Sequence, residues 1–136
     1  MAEVRIEKVH GPAKREIVKG LRQANARAIG KIDHRALTVT LRERGRIVGG
    51  LTGQTYLGWF FVAWFWIAEK HRGKGFGARI LQAAEDEARG RGMKNVYLDT
   101  FSFQAPGFYE KLGYREFGRL DGFPSGHYRA WMTKAL

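Results

Sequence analysis

The chain has 136 residues, with 24 Lys and Arg against 13 Asp and Glu, a formal charge of +11 and no cysteine. That length fits one domain, 1–136, able to bury roughly 68–70% of its unfolded surface without a disulfide or metal. A hydrophobic content of 44% and an aromatic content of 13% exclude a disordered or collagen-like chain. The absence of Cys excludes a disulfide framework, thiolate zinc sites and a Cys nucleophile, and fits a cytoplasmic protein.

The first residues alternate charged and apolar side chains and show no continuous apolar core of a secretory signal. Val4, Ile6 and Val9 suggest a first strand over 3–9. Gly11-Pro12 then opens a helix, since Pro is tolerated in a first turn. Ile17, Leu21, Ala24 and Ala28 fall at helical spacing through about Gly30. From Lys14 to Arg35 there are seven basic and two acidic residues, so this helix presents a positive side. Leu37, Val39 and Leu41 alternate with polar residues as a half-buried strand, and Glu43-Arg44-Gly45-Arg46 is a tight turn. Ile47–Tyr56 returns as a strand in which Gly49, Gly50 and Gly53 suggest bulging or close backbone approach. From Gly58 comes a central strand, WFFVAWFWIA, apolar on both faces and therefore expected to be covered on both. Its dozen apolar residues fall short of the about 20 a membrane-spanning helix needs, so no membrane partner is expected.

Phe76, Ile80, Leu81, Ala84 and Ala88 form one apolar helix face, with Glu85–Arg89 and Glu87–Arg91 as i,i+4 pairs on the other. Gly90 and Gly92 end it. Asn95–Thr100 is a strand, Ala105–Leu112 a short helix stopped by Gly113, and Tyr114–Leu120 and Tyr128–Lys134 two final strands. The order is that of an α/β sandwich around a mixed sheet, with 59–100 a right-handed parallel crossover.

Between the central strand and its helix lies His71-Arg72-Gly73-Lys74-Gly75-Phe76-Gly77. A helix N-terminus offers unpaired N–H groups and partial positive charge, and glycines let those amides close around an anion. Arg72 and Lys74 add full charges, so a diphosphate is expected here. A Walker A loop is absent. Gly73-x-Gly75-x-x-Ala78 matches the dinucleotide pattern loosely, but Ala68–His71 separate it from its strand and a meander precedes it, which disfavours NAD.

Arg72-x-x-Gly75-x-Gly77 resembles the acetyl-CoA loop of the GNAT superfamily of N-acetyltransferases, and Phe108-Tyr109-Glu110-Lys111-Leu112-Gly113-Tyr114 is close to that family's F-Y-x-x-x-G-[FY]. The resemblance covers the chain from the first helix to the last strand. It implies a mixed, mostly antiparallel twisted sheet with helices on both faces and a splayed parallel strand pair. It implies an acetyltransferase that uses acetyl-CoA, needs no metal, and moves the acetyl group to a primary amine by direct attack in a ternary complex. By resemblance the main chain of Phe65, Trp66 and Ile67 pairs with the pantetheine arm, with the Ile67 N–H facing the developing oxyanion. The pyrophosphate sits on the amides of Gly73, Lys74, Gly75, Phe76, Gly77 and Ala78, with Arg72 shaping the loop.

Tyr109 matches the family tyrosine that faces the CoA sulfur. A phenol of ordinary pKa about 10 is protonated at neutral pH and can supply the thiolate's proton. Where many relatives carry an Asn on the cofactor arm this chain has Ser102, with Gln104 as the alternative, and Lys111 is either a contact to the adenosine end or a solvated helix lysine. The base that takes the amine's proton is sought among Asp99, Glu69, Asp33, His34 and His127. Asp99, ending the strand beside the splay, is best placed. Trp64 and Trp66 share one strand face, either as core or as a wall for an apolar amine. A small or amino-acid-like acceptor is favoured. The alternatives are a macromolecular acceptor (protein N-terminus, lysine or aminoacyl-tRNA) and a non-catalytic CoA-binding module. Homodimers are frequent among relatives, but no interface signal is legible.

Overall fold

A computed structural model describes residues 1–136 in two compact units, Met1–Ile32 and Asp33–Leu136. The first holds α1 (His10–Ile29), which ends where Gly30 takes φ 79° and returns its N–H to the Ala26 carbonyl at 2.8 Å. The strand expected over 3–9 is absent, and Val4 and Ile6 are exposed. Alternation makes a strand only where a neighbouring ladder takes its N–H and C=O groups, and these residues have none.

The second unit runs β1 (Arg35–Glu43), β2 (Arg46–Tyr56), β3 (Trp59–Ile67), a 3-10 turn (Glu69–His71), α2 (Phe76–Gly90), β4 (Asn95–Phe101), α3 (Pro106–Lys111), β5 (Arg115–Asp121) and β6 (Tyr128–Ala135). The six strands form one sheet in the order β1-β2-β3-β4-β6-β5. Every neighbouring pair is antiparallel except β3–β4, which is parallel and joined through α2.

One face of the sheet packs under α2 and α3. Leu37, Leu51, Phe60, Val62, Val96, Leu98 and Met132 meet Ile80, Leu81, Ala84 and Ala88 of α2, with Tyr109 and Tyr114 completing the core. Within Asp33–Leu136 nothing covers the other face of the second half of β3, where Trp64 and Trp66 are 76% and 54% exposed. An apolar strand is a statement about residue type, whereas cover depends on what packs there.

Glu85 also departs from expectation. It is 1% exposed, not an outer-face partner of Arg89. The Tyr114 hydroxyl donates to one of its oxygens at 2.7 Å and the Lys134 ammonium to the other at 2.9 Å, while Arg89 stands 3.7 Å away. A buried carboxylate requires such partners. Burial and the hydrogen bond to Glu85 push the Tyr114 phenol well above its ordinary pKa.

The glycines of β2 mark close backbone approach. A Cβ on Gly53 would lie 1.9 Å from the Phe61 carbonyl, and one on Gly49 3.0 Å from that of Trp66. Between Thr52 and Gly53 the β2–β3 register shifts by a bulge. A bulge bends and twists its strand, and here it falls where β3 turns away from β4.

Candidate active site

The parallel pairing of β3 with β4 covers Trp59↔Asn95 to Val62↔Leu98 and then stops. Beyond it β3 keeps its ladder to β2 through Leu51↔Phe65, Gly50↔Trp66 and Gly49↔Ile67. The edge of Phe65–Ile67 that faces β4 therefore carries main-chain groups with no strand partner. This is the splay the sequence motifs imply.

A cleft of about 660 Å³ opens at the splay. Phe65, Trp66 and Ile67 form its strand side, Arg72, Gly73, Gly75, Phe76, Gly77 and Ala78 its loop side, and Phe108 and Tyr109 its α3 side. Nine of the ten expected loop and strand residues line one cavity. Lys74 lies in the same loop with its side chain exposed.

The loop is built to leave amides open. Arg72 Nε donates to the Ile67 carbonyl at 2.9 Å, tying the loop back to the strand. Gly73 and Gly75 take φ 72° and 82°, where a side chain is strained. Gly75 caps α2 without a side-chain hydrogen bond, and the first turn holds no acid. The first N–H groups of α2 thus face the cleft unclaimed by side chains. A Cβ on Gly77 would meet the Phe108 ring at 3.1 Å, so glycine lets α2 and α3 close on each other. His71 lines the same cleft. Its Nε2 donates to the Glu43 carboxylate at 2.8 Å, and its buried Nδ1 has no partner. Open amides and neighbouring cations are the donor set a pyrophosphate fits.

Tyr109 is buried, with Phe65, Phe108 and Tyr114 edge-on around its ring at 6.5, 5.2 and 5.7 Å. Burial, and then the negative charge of Asp99, push its phenol up to about 12. It stays protonated through neutral pH, held among the three rings.

Asp99 accepts from Arg129 Nε at 2.9 Å, and Nη2 of the same guanidinium stands 2.7 Å from the same oxygen. Ser102 does not line the cleft as expected. Its Oγ pairs with His127 Nδ1 at 2.9 Å and accepts from the Tyr128 N–H at 3.1 Å, tying the end of β4 to β6. Gln104 lines the cleft instead, its side-chain oxygen accepting from the Phe101 N–H at 2.9 Å. His34 stacks on Tyr56 at 4.8 Å, beside the start of β3 and about 20 Å along that strand from the cleft. Asp33, Glu69 and Lys111 are exposed and outside the cleft lining.

Sequence reasoning missed His71, Phe103, Ala105 and Arg129. Phe103 and Ala105 line the cleft from the turn after β4. Arg129 reaches Asp99 only because β6 pairs with β4 in the register Phe101↔Arg129. No spacing along the chain announces that meeting.

A second cavity of about 510 Å³ lies at the other end of β3, among Tyr56, Leu57, Trp59, Tyr97, Arg115, Phe117 and Thr133. Tyr56 and Tyr97 share a short hydroxyl–hydroxyl bond there, and burial with that bond raises the Tyr97 phenol.

Residues 7–114 match the model of the acetyltransferase (GNAT) family. The blasticidin-S acetyltransferase of Streptomyces morookaense is 38% identical over 100 residues, covering 73% of this chain and 74% of that one. A crystal structure of an Agrobacterium tumefaciens protein described as an acetyltransferase superposes with a TM-score of 0.91 at 33% identity over 100% of both chains. A Bacillus anthracis protein described as a streptothricin acetyltransferase, in complex with acetyl coenzyme A, shares the fold at a TM-score of 0.65 and 20% identity, covering 74% of this chain and 62% of that one. No helix is long and apolar enough to cross a membrane. With a family match over most of its length, and a cleft where strands part in front of a glycine-opened helix, the chain belongs to the acetyltransferase (GNAT) family.

Proposed function

We propose that this acetyltransferase moves the acetyl group of acetyl-CoA directly to the primary amine of a small or amino-acid-like molecule, both substrates being bound at once. The observation that carries this reading is the single cleft shared by the unpaired edge of Phe65–Ile67, the open N-terminus of α2 and the Tyr109 ring. When bound, acetyl-CoA supplies an activated acyl carbon and a thiolate leaving group. The amides of Gly73–Ala78, with Arg72 and Lys74, hold its pyrophosphate. The main chain of Phe65–Ile67 continues its hydrogen bonding onto the pantetheine amides, and the Ile67 N–H steadies charge on the carbonyl oxygen.

Asp99 takes one proton from the incoming ammonium. The freed nitrogen forms the new N–C bond as the C–S bond breaks. Tyr109 gives its phenolic proton to the departing sulfur, and the nitrogen's second proton passes to the phenolate, leaving a neutral amide, free thiol and a phenol again. General acid and base groups of this kind contribute roughly 10²–10⁴-fold each. The Streptomyces relative, named for a small-molecule acceptor, supports the small-acceptor reading over a macromolecular one.

The test is thiol release from acetyl-CoA, with mass detection of the acetylated product, across a panel of amines that includes blasticidin S. Turnover with at least one small amine is expected. Absence of release with every amine, together with no heat on titrating CoA into folded protein, would overturn the proposal.

A further inference from the structure

We propose that the acceptor is a zwitterion, an amine with a carboxylate on the adjacent carbon and a flat or aromatic side chain, read by the Asp99–Arg129 pair. This rests on the acetyl-transfer reading above.

Asp99 and Arg129 come from adjacent strands and project on the same face of the sheet, away from α2. The register sets Asp99 opposite Trp131 and Arg129 opposite Phe101. Both Arg129 contacts, from Nε at 2.9 Å and Nη2 at 2.7 Å, fall on one carboxylate oxygen, Oδ1. The other oxygen, Oδ2, receives neither. A guanidinium has five N–H donors, and only the one on Nε is hydrogen-bonded to Asp99. The pair is thus half-engaged on each side: one oxygen remains for an ammonium and one fork for a carboxylate.

Its surroundings are aromatic. The Arg129 guanidinium lies 5.1 Å from the Phe101 ring centre, 5.2 Å from that of Phe123 and 4.9 Å from that of Trp131. Phe103 stacks on Phe101 at 5.1 Å with the rings 14° apart, and His127 meets Phe103 edge-on at 5.1 Å. The two charged side chains are only 29% and 19% exposed. Taking a charge pair partly out of water offsets most of its attraction, and an apolar pair would pack in such a place as well. Retained charges beside a cleft are therefore better explained by something they recognise.

The box is continuous with the reaction site. Phe103, stacked on Phe101, is itself a wall of the cofactor cleft. The Asp99 charge is felt at Tyr109, the phenol at the other side of the reacting centre. An amine held on Oδ2 is then next to the group that must take its proton. A carboxylate one carbon away meets the free edge of Arg129, and a flat side chain stacks among Phe101, Phe103 and Phe123. A polycationic amine would meet one shared carboxylate and be repelled by Arg129.

The test compares kcat/KM for phenylalanine and tryptophan with that for phenethylamine and tryptamine, which lack only the carboxylate. The wild-type protein should favour the carboxylated member of each pair at least tenfold, as loss of a charge-assisted bidentate contact demands. Arg129→Gln should reduce that preference to about threefold or less, with Arg129→Lys between the two. Calorimetric binding of CoA to each variant checks that the fold and the cofactor cleft survive. Equal or inverted preference in the wild type overturns the proposal, whether or not a variant folds. So does an undiminished preference in a CoA-binding Arg129→Gln protein. If phenethylamine or tryptamine is acetylated and the amino acids are not, the zwitterion falls and acetyl transfer stands. If none of the four releases thiol the zwitterion falls, and if CoA in addition gives no heat of binding, acetyl transfer itself falls.

Discussion

Strand β3 is a single apolar run whose two halves differ in everything but composition. In the first half, Trp59–Val62 is held by β2 on one side and β4 on the other, and Phe60 is fully buried. In the second half, Trp64–Ile67 keeps only β2, Trp64 stands 76% exposed, and Phe65 looks into a cleft. The first half stabilises the fold, and the second presents backbone to a ligand. The difference arises at the bulge opposite Gly53. A strand can be structural scaffold and binding edge at once when its partner leaves it midway.

The contrast breaks first in the paired half. Phe60→Ala should cost about 3–5 kcal/mol, because a large ring is removed where nothing can collapse to fill the space. Urea denaturation measures this, and a loss under about 1 kcal/mol would mean that the first half is not core. Tyr109→Phe tests the splayed half from the α3 side. Its kcat should fall on the order of 100-fold while CoA affinity holds. Unchanged kcat with unchanged affinity removes Tyr109 from the acid role.

Gly75→Ala probes the loop with a smaller effect. The left-handed φ of 82° costs an alanine about 1–2 kcal/mol, borne as weaker CoA binding where the open amides shift. Calorimetry should show roughly a tenfold rise in Kd, and unaltered binding would argue that the loop does not shape the phosphate site. Trp64→Ala should change stability by about 0.5 kcal/mol or less, as expected of a mostly exposed side chain. A loss comparable to that of Phe60→Ala would erase the contrast between the halves.

The weakest effect is that of pH. With the Tyr109 phenol pushed up to about 12, its folded value lies above its unfolded value of about 10. Its contribution to stability is complete below pH 10 and is lost as pH rises through 12. The proton donor likewise survives alkaline conditions, so kcat should show no decline from this group up to about pH 11. A decline centred near pH 10 that Tyr109→Phe abolishes would contradict that environment.

The helix from His10, the glycine loop, α2, α3 and the first five strands follow directly from periodicity and turn chemistry, because local pattern and local structure agree there. The sixth, Tyr128–Ala135, is equally legible as a strand. What does not show along the chain is its antiparallel place between β4 and β5, which delivers Arg129 to Asp99. Over 3–9 the pattern misleads, since alternation without a neighbour has no ladder to join. At Glu85 the i,i+4 rule identifies a real proximity to Arg89 but misses Tyr114 and Lys134, which come from α3's end and from β6 and make burial tolerable. Ser102 is diverted in the same way by His127.

By itself, the sequence determined most of the elements, the family and the glycine loop before α2, since helix starts, glycine freedom and motif spacing depend on residues close together in the chain. Only the tertiary structure decided where β3 and β4 part, which face of β3 packs toward α2 and which side chains share the cleft. Those outcomes depend on strand register and on contacts between residues far apart in sequence, and a register is set by the packing of whole faces against one another.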